Sequence, residues 1–350
     1  MLAKRVEALP EAEGWIFEPK WDGFRALVFR DGDEIEIQSR DEKPLNRYFP
    51  DLLDPLRRQL PKRAVLDGEI VIATAAGLDF EALQLRLHPA ASRVKLLASQ
   101  TPASVVFFDL LAEGDRDWRG EPFEARRRRL EEVLGGAEPP IHVTPATRDR
   151  KTAADWFRRF EGAGLDGVVA KPVSVTYQPD KRVMLKVKHE RDCDCVVAGF
   201  RWYKDSQRTA VGSLLLGLFD DAGQLQHVGV CASFTAEKRR ELVEFLAPYR
   251  KDALVDHPWK GWADLAPDLA PGKRLPGGQS RWSQGKDLSW EPLRPELVAE
   301  VAYEHMQGMR FRHMAHLRRW RFDKKPADCT YAQLETVPPE ELAAIFASGR

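Results

Sequence analysis

The chain has 350 residues, is 43% hydrophobic and 31% charged, and balances 54 Lys+Arg against 54 Asp+Glu for a formal net charge of zero. That length can bury two domain cores. No apolar run approaches the ~20 residues that cross a bilayer, and zero net charge excludes a histone-like binder that works by bulk positive charge. The N-terminus lacks an apolar signal core, and four cysteines (Cys193, Cys195, Cys231, Cys329) are too few for a disulfide scaffold, so a reducing cytosol and no membrane partner are expected.

The first half reads as strands with helices between them. Trp15 to Glu18 is short and apolar; Phe24 to Arg30 and Glu34 to Gln38 alternate around the turn Asp31-Gly32-Asp33, a hairpin signal. Ala64 to Leu66 and Glu69 to Ala73 read as strands on either side of Asp67-Gly68. Val105 to Leu111 is a continuous apolar run broken by Asp109, which suits a buried strand. Pro122 opens a helix that Gly135-Gly136 stops, with Arg126 to Arg129 read as its solvated face. A second helix spans about Thr152 to Phe160, and two strands follow, Gly167 to Lys171 and Val183 to Lys188.

The texture changes near residue 190. Val196 to Trp202, Ser213 to Phe219 and Leu225 to Cys231 read as strands, the last two joined by the turn Asp220-Asp221-Ala222-Gly223. Thr235 is placed to cap a helix, residues 264–290 read as loop, and Leu297 to Tyr303 alternates as a strand. Five or so strands with one helix fit a small barrel of the OB type. The expected architecture is therefore α+β: antiparallel sheets with flanking helices over 1–190, then an OB-fold β-barrel over 191–350. Arg310 to Lys325 holds seven Lys/Arg and one acid with Phe311, Trp320 and Phe322 interleaved, a pattern that suits a phosphate backbone with exposed bases; a solvated face with a few packed aromatics explains it equally well. Cys193-x-Cys195 with His189 lacks a second pair at zinc spacing, so these thiols read as core-facing.

One segment carries chemistry. Lys20-Trp21-Asp22-Gly23-Phe24-Arg25 is a K-x-D-G-x-R pattern between two strands, where a turn projects an amine into a cleft. A lysine attacks phosphorus only when unprotonated, so its basicity must fall through burial or positive neighbours. Taken alone, a surface Lys-Asp turn explains the pattern too.

Six further segments accompany it in order: Ser39-Arg40, Leu66 to Ile70, Phe107 to Leu110, Asp166 to Lys171, Leu185 to Lys188 and Arg319 to Lys324. With them the chain resembles the covalent nucleotidyltransferase superfamily over about residues 15 to 326, and most closely ATP-dependent DNA ligases of the short bacterial ligase C type. The resemblance implies that Lys20 takes AMP covalently from ATP, passes it to the 5′-phosphate of a DNA nick, and that the adjacent 3′-hydroxyl then closes the phosphodiester. It implies further roles: Glu18 recognises adenine; Arg25 holds the 5′-phosphate or a nucleotide phosphate; Arg40 contacts ribose or phosphate; Glu69 binds ribose or a metal. Phe108 and Val169 enclose adenine, Lys186 and Lys188 contact the α-phosphate, and Arg321 and Lys324 orient the pyrophosphate in the first step. Mg²⁺ or Mn²⁺ would sit at Glu69 and Asp166, although much of the family has Glu where Asp166 stands, one methylene longer. Nicked double-stranded DNA is the expected partner of a bacterial, nucleoid-associated cytoplasmic monomer working in DNA repair, with replication and recombination as related settings and a repair-protein partner open. The competing readings are an RNA ligase or GTP-using capping enzyme of the same superfamily, and a non-catalytic OB-fold nucleic-acid binder.

Overall fold

Where the sequence alternates, the chain forms half-buried strands: Ile35 and Ile37 point into a core while Glu34 and Glu36 face solvent. The computed structural model describes residues 1–74, 77–204, 206–260 and 289–334. In chain order the strands are β1 Leu2–Arg5, β2 Trp15–Pro19, β3 Phe24–Asp31, β4 Glu34–Ser39, β5 Arg63–Thr74, β6 Gly77–Leu78, β7 Ala103–Glu113, β8 Arg116–Asp117, β9 Ile141–Val143, β10 Gly167–Pro172 and β11 Arg182–Lys188. After these come β12 Arg191–Trp202, β13 Val211–Phe219, β14 Leu225–Cys231, β15 Glu291–Tyr303, β16 Met306–Gln307, β17 Arg310–Phe311 and β18 His316–Trp320. The helices are α1 Pro50–Gln59, α2 Phe80–Leu85, α3 Ala91–Gln100, α4 Phe123–Leu134, α5 Arg150–Arg159 and α6 Ala236–Arg250. No described helix is long and apolar enough to cross a membrane.

The chain divides into one unit comprising Met1–Lys188 and another that begins at His189. The first unit has two sheets. One runs β4-β3-β5-β7-β8, with β6 on β5 and β9 parallel to β7. The other runs β1-β11-β10-β2. One core, with Val28, Leu66, Phe107, Leu52 and Leu130, lies between the first sheet and its helices. A second core joins Val71 and Val106 of the first sheet to Phe17, Val168 and Val187 of the other, closed by Trp156 and Phe160.

Two expectations fail in this unit. Asp67-Gly68 is no turn: β5 runs through it. A Cβ on Gly68 would lie 2.7 Å from the Val106 carbonyl oxygen, so the glycine serves close packing between strands. Nor is Arg126 to Arg129 a uniformly solvated face. Arg126 is fully buried and forks onto Asp109 (Nε–Oδ1 2.8 Å, Nη2–Oδ2 3.0 Å), and its Nη1 donates to the carbonyls of Glu121 and Val175. The charged break in the apolar β7 run is thus neutralised from the next helix, as a buried carboxylate requires. Pro122 sits at the N-cap rather than inside α4, and Asp149 caps α5 by accepting from Lys151 and Thr152. Helices α1, α2 and α3 and strand β1 had no counterpart in the sequence reading.

The second unit is built on one antiparallel sheet, β14-β13-β12-β15-β18. Its strands run longer than the sequence suggested: β12 starts at Arg191 and β15 at Glu291. Thr235 caps α6 by accepting from the Lys238 N–H. Cys193 and Cys195 face the core with their sulfurs 3.7 Å apart. Nearly all of the expected 264–290 loop lies outside the described residues.

Candidate active site

The K-x-D-G-x-R segment is the connection from β2 to β3, and it is pinned on several sides. The Lys20 N–H donates to the Gly167 carbonyl (2.8 Å), and the Asp166 N–H donates back to the Lys20 carbonyl (2.9 Å). The Trp21 indole is buried and donates to the Thr144 hydroxyl at 2.8 Å, and the Gly23 N–H donates to Glu69 Oε1 at 3.2 Å. Gly23 is required by proximity: a Cβ there would stand 2.1 Å from the Ile70 carbonyl oxygen. The same holds at Gly167, where φ is +134° and a Cβ would meet the Val187 carbonyl at 2.1 Å. These two glycines bring Lys20, Glu69 and Asp166 onto one locus.

There, the Lys20 ammonium donates to Asp166 Oδ2 at 2.6 Å, and Lys188 Nζ lies 3.1 Å from the same oxygen. Asp166 is buried while Lys20 keeps about a fifth of its side chain exposed. One carboxylate therefore restrains two ammonium groups, and the amine stays open on one side. Burial pushes the Glu69 carboxyl up to about 7, against the pull of Lys20 and Arg25. Glu69 and Asp166 are hard oxygen donors of the kind a divalent ion takes.

Cross-strand register assembles the rest. Val169 of β10 stands opposite Glu18 of β2 and opposite Lys186 of β11, so the three share a sheet face. Phe17, Val168 and Val187, on the other face, are the buried core. Lys188, two residues after Lys186, falls on the Lys186 side. Phe108 on β7 is half-buried, with Lys171 Nζ 4.5 Å from its ring centre.

Several expected contact residues carry structural partners. Glu18 is buried, held by Lys171 (2.6 Å) and Arg127 (3.0 Å). Arg25 forks onto Asp67 (3.0 and 2.6 Å) and donates to the Met1 carbonyl (2.6 Å). Burial works against the Arg25 charge, but Asp67 outweighs it and raises the guanidinium pKa. The Tyr177 hydroxyl also donates to Asp67 (3.1 Å). Arg40 is exposed and, among the described residues, makes a 3.7 Å contact to Asp41. The sequence reading missed Arg127, Tyr177 and the roles of Lys171 and Asp67. The register signal was present for Lys171, two residues after Val169; Arg127 comes from a distant helix and left no local signal.

In the second unit, Arg321 Nη1 donates to Asp194 (3.1 and 3.2 Å) and Glu300 (3.1 Å), and its Nε and Nη2 fork onto Asp323 (2.9 and 2.8 Å). Lys324 Nζ lies 3.0 Å from Asp194. The hydrogen bond from Arg321 holds Asp323 down at about 2. Arg318 pairs with Glu190 and Asp192, and Arg319 with Glu300. The stretch that is basic in sequence is thus interleaved in space with carboxylates.

A family described as ATP dependent DNA ligase domain matches residues 1–188, and one described as ATP dependent DNA ligase C terminal region matches residues 207–324. DNA ligase C2 of Mycolicibacterium smegmatis is 56% identical over 97% of this chain and 94% of its own. DNA ligase C of Mycobacterium tuberculosis is 56% identical over 99% of this chain and 96% of its own. A solved structure from a structure-function analysis of Lig E DNA ligases shares the fold, with TM-score 0.54 and 16% identity over 92% of this chain and 100% of that one.

Proposed function

The chain belongs to the ATP-dependent DNA ligase family, and from that premise we propose that Lys20 is the residue that carries AMP. The enzyme takes ATP and DNA as substrates. The observation that carries the assignment to Lys20 is its amine, one-fifth exposed at the edge of a sheet face bearing Val169, Lys186 and Lys188, with Asp166 2.6 Å away.

In the first step the Lys20 ammonium gives a proton to Asp166, 2.6 Å away, and the neutral nitrogen then bonds to the α-phosphorus as the bond to pyrophosphate breaks, pyrophosphate leaving with the electron pair. The nitrogen becomes more acidic as that bond forms and sheds its second proton to solvent. Lys186 and Lys188 balance charge on the α-phosphate oxygens. In the second step an oxygen of the DNA 5′-phosphate takes the adenylate from Lys20, which regains a proton. In the third the 3′-hydroxyl oxygen bonds to the 5′-phosphorus, loses its proton, and AMP departs. Activation gives the 5′-phosphate a leaving group that a bare monoester lacks.

Phe108 and Val169 form the adenine slot. Glu18 helps recognise adenine through the cations it holds, Lys171 and Arg127. Glu69 and Asp166 would hold Mg²⁺ or Mn²⁺, which would shield phosphate charge. Arg25 and Arg40 serve phosphate or ribose; for Arg25 that means exchanging a donor from Asp67 or Met1. Arg321 and Lys324 orient the pyrophosphate. We assign the second unit to an OB-type barrel, supported by its five antiparallel strands with α6 between the third and fourth and by the β-bridges Phe219–Thr330 and Cys231–Ala315. The division after Lys188 supports domains of about 1–190 and 191–350.

The test incubates the protein with α-labelled ATP or GTP, then with nicked DNA or nicked RNA. ATP alone should label the protein, and DNA nicks should be sealed. Labelling by GTP, or preference for RNA nicks, would favour the RNA ligase or capping readings.

A further inference from the structure

Asp194 was in no sequence motif, yet it contacts both cations assigned to the pyrophosphate. It stands on β12 between Cys193 and Cys195, whose side chains are locked in the core, so its carboxylate emerges on the opposite face. Its backbone is clamped by Gln333, whose Oε1 accepts from the Asp194 N–H (2.8 Å) and whose Nε2 donates to the Asp194 carbonyl (2.9 Å). The carboxylate is buried beneath Arg321 and Lys324.

Register adds an independent observation. Asp194 of β12 stands directly opposite Glu300 of β15. Like charges directly opposite across a sheet are destabilising. Arg321 Nη1 donates to both carboxylates and turns that repulsion into a fixed seat for one guanidinium. Among the described residues, the Arg321 contacts use four of its five N–H donors and Lys324 uses one of three. Three donors therefore remain for phosphate oxygens, on side chains whose directions are already set. A free arginine or lysine gives up rotamer freedom on being fixed, and a seated one has already given it up.

We propose that Asp194 is a positioning residue for the first chemical step: together with Glu300 it presents Arg321 and Lys324 to the pyrophosphate of ATP, without touching the nucleotide itself. This rests on the assignment of Arg321 and Lys324 to that step. Asp194 does not merely neutralise these cations, and its removal slows adenylation rather than freeing them for it.

The experiment compares wild type, Asp194→Asn, Asp194→Glu and Arg321→Ala in two assays: formation of labelled enzyme–AMP, and sealing of nicks that already carry the 5′-adenylate. Asp194→Asn, which keeps shape and removes charge, should slow self-adenylation about 10- to 100-fold, the size of effect a ~1 Å misplacement produces. Sealing of pre-adenylated nicks should stay within about threefold of wild type, a partition that general loss of folding does not give. Asp194→Glu keeps the charge one methylene further out and should fall between, which retains a test if the Asn protein folds poorly. Slow adenylation by Arg321→Ala beside normal or faster adenylation by Asp194→Asn would overturn the proposal. Normal adenylation by Arg321→Ala would overturn the assignment beneath it.

Discussion

The two units handle charge differently. In the first, Arg126–Asp109 and Glu18 with Lys171 and Arg127 are buried pairs whose donors and acceptors are satisfied inside the fold. In the second, Arg318, Arg319, Arg321 and Lys324 meet carboxylates at a partly open face. A buried pair cannot exchange its partner without stranding a charge in a low-dielectric interior, so it serves as architecture. A pair at the surface exchanges with water and with phosphate at little expense. The first unit therefore uses its buried pairs as architecture, and the second carries cations seated on carboxylates at a face where donors are left over for phosphate.

The largest effect that would break this contrast is on stability. Arg126→Met strands Asp109 and should lower the unfolding free energy of the first unit by about 3–5 kcal/mol in denaturant titrations. A loss below ~1 kcal/mol would mean that the pair is not architectural. Next, Gly23→Ala forces a Cβ against the Ile70 carbonyl and shifts Lys20; self-adenylation should fall about 100-fold while the second unit melts unchanged.

Glu69 sharpens the comparison through pH. Its folded pKa of about 7 lies above its ordinary 4.5, so the native protein binds more protons there, and stability should decline as pH rises from about 4.5 through 7. Glu69→Gln removes that slope, and melting temperatures of both proteins at pH 5 and pH 8 measure it; parallel shifts would contradict the burial of Glu69. The smallest effect concerns salt. Seven Lys/Arg between Arg310 and Lys325, all bound to phosphates, would give a log–log slope near about −6 for duplex binding to the second unit's surface. Because Arg318, Arg319, Arg321 and Lys324 are paired, charge-neutral variants of that stretch should reduce the measured slope of the whole enzyme by clearly less.

The sequence revealed what is local or periodic. The β3–β4 hairpin, the strand β14 and the Thr235 cap follow from alternation and capping chemistry; from the resemblance, the ordered motifs singled out Lys20, Glu69, Lys186 and Lys188 as candidates. It misled where a long-range partner decides. Asp67-Gly68 has turn composition, yet Gly68 is there for the passage of β7 and Asp67 for Arg25. Arg126 to Arg129 has the composition of a solvated face, and only the position of Asp109 shows that Arg126 turns inward. Asp194 was invisible for the same reason: its meaning lies in Glu300, Arg321 and Lys324, all more than 100 residues away.

The central claim is that one amine, on Lys20, accepts the adenylate. Incubation with ATP and Mg²⁺, proteolysis and mass spectrometry should find AMP on a single peptide containing Lys20, and none on the Lys20→Ala protein. AMP on another lysine, or undiminished adduct in the variant, would contradict the account.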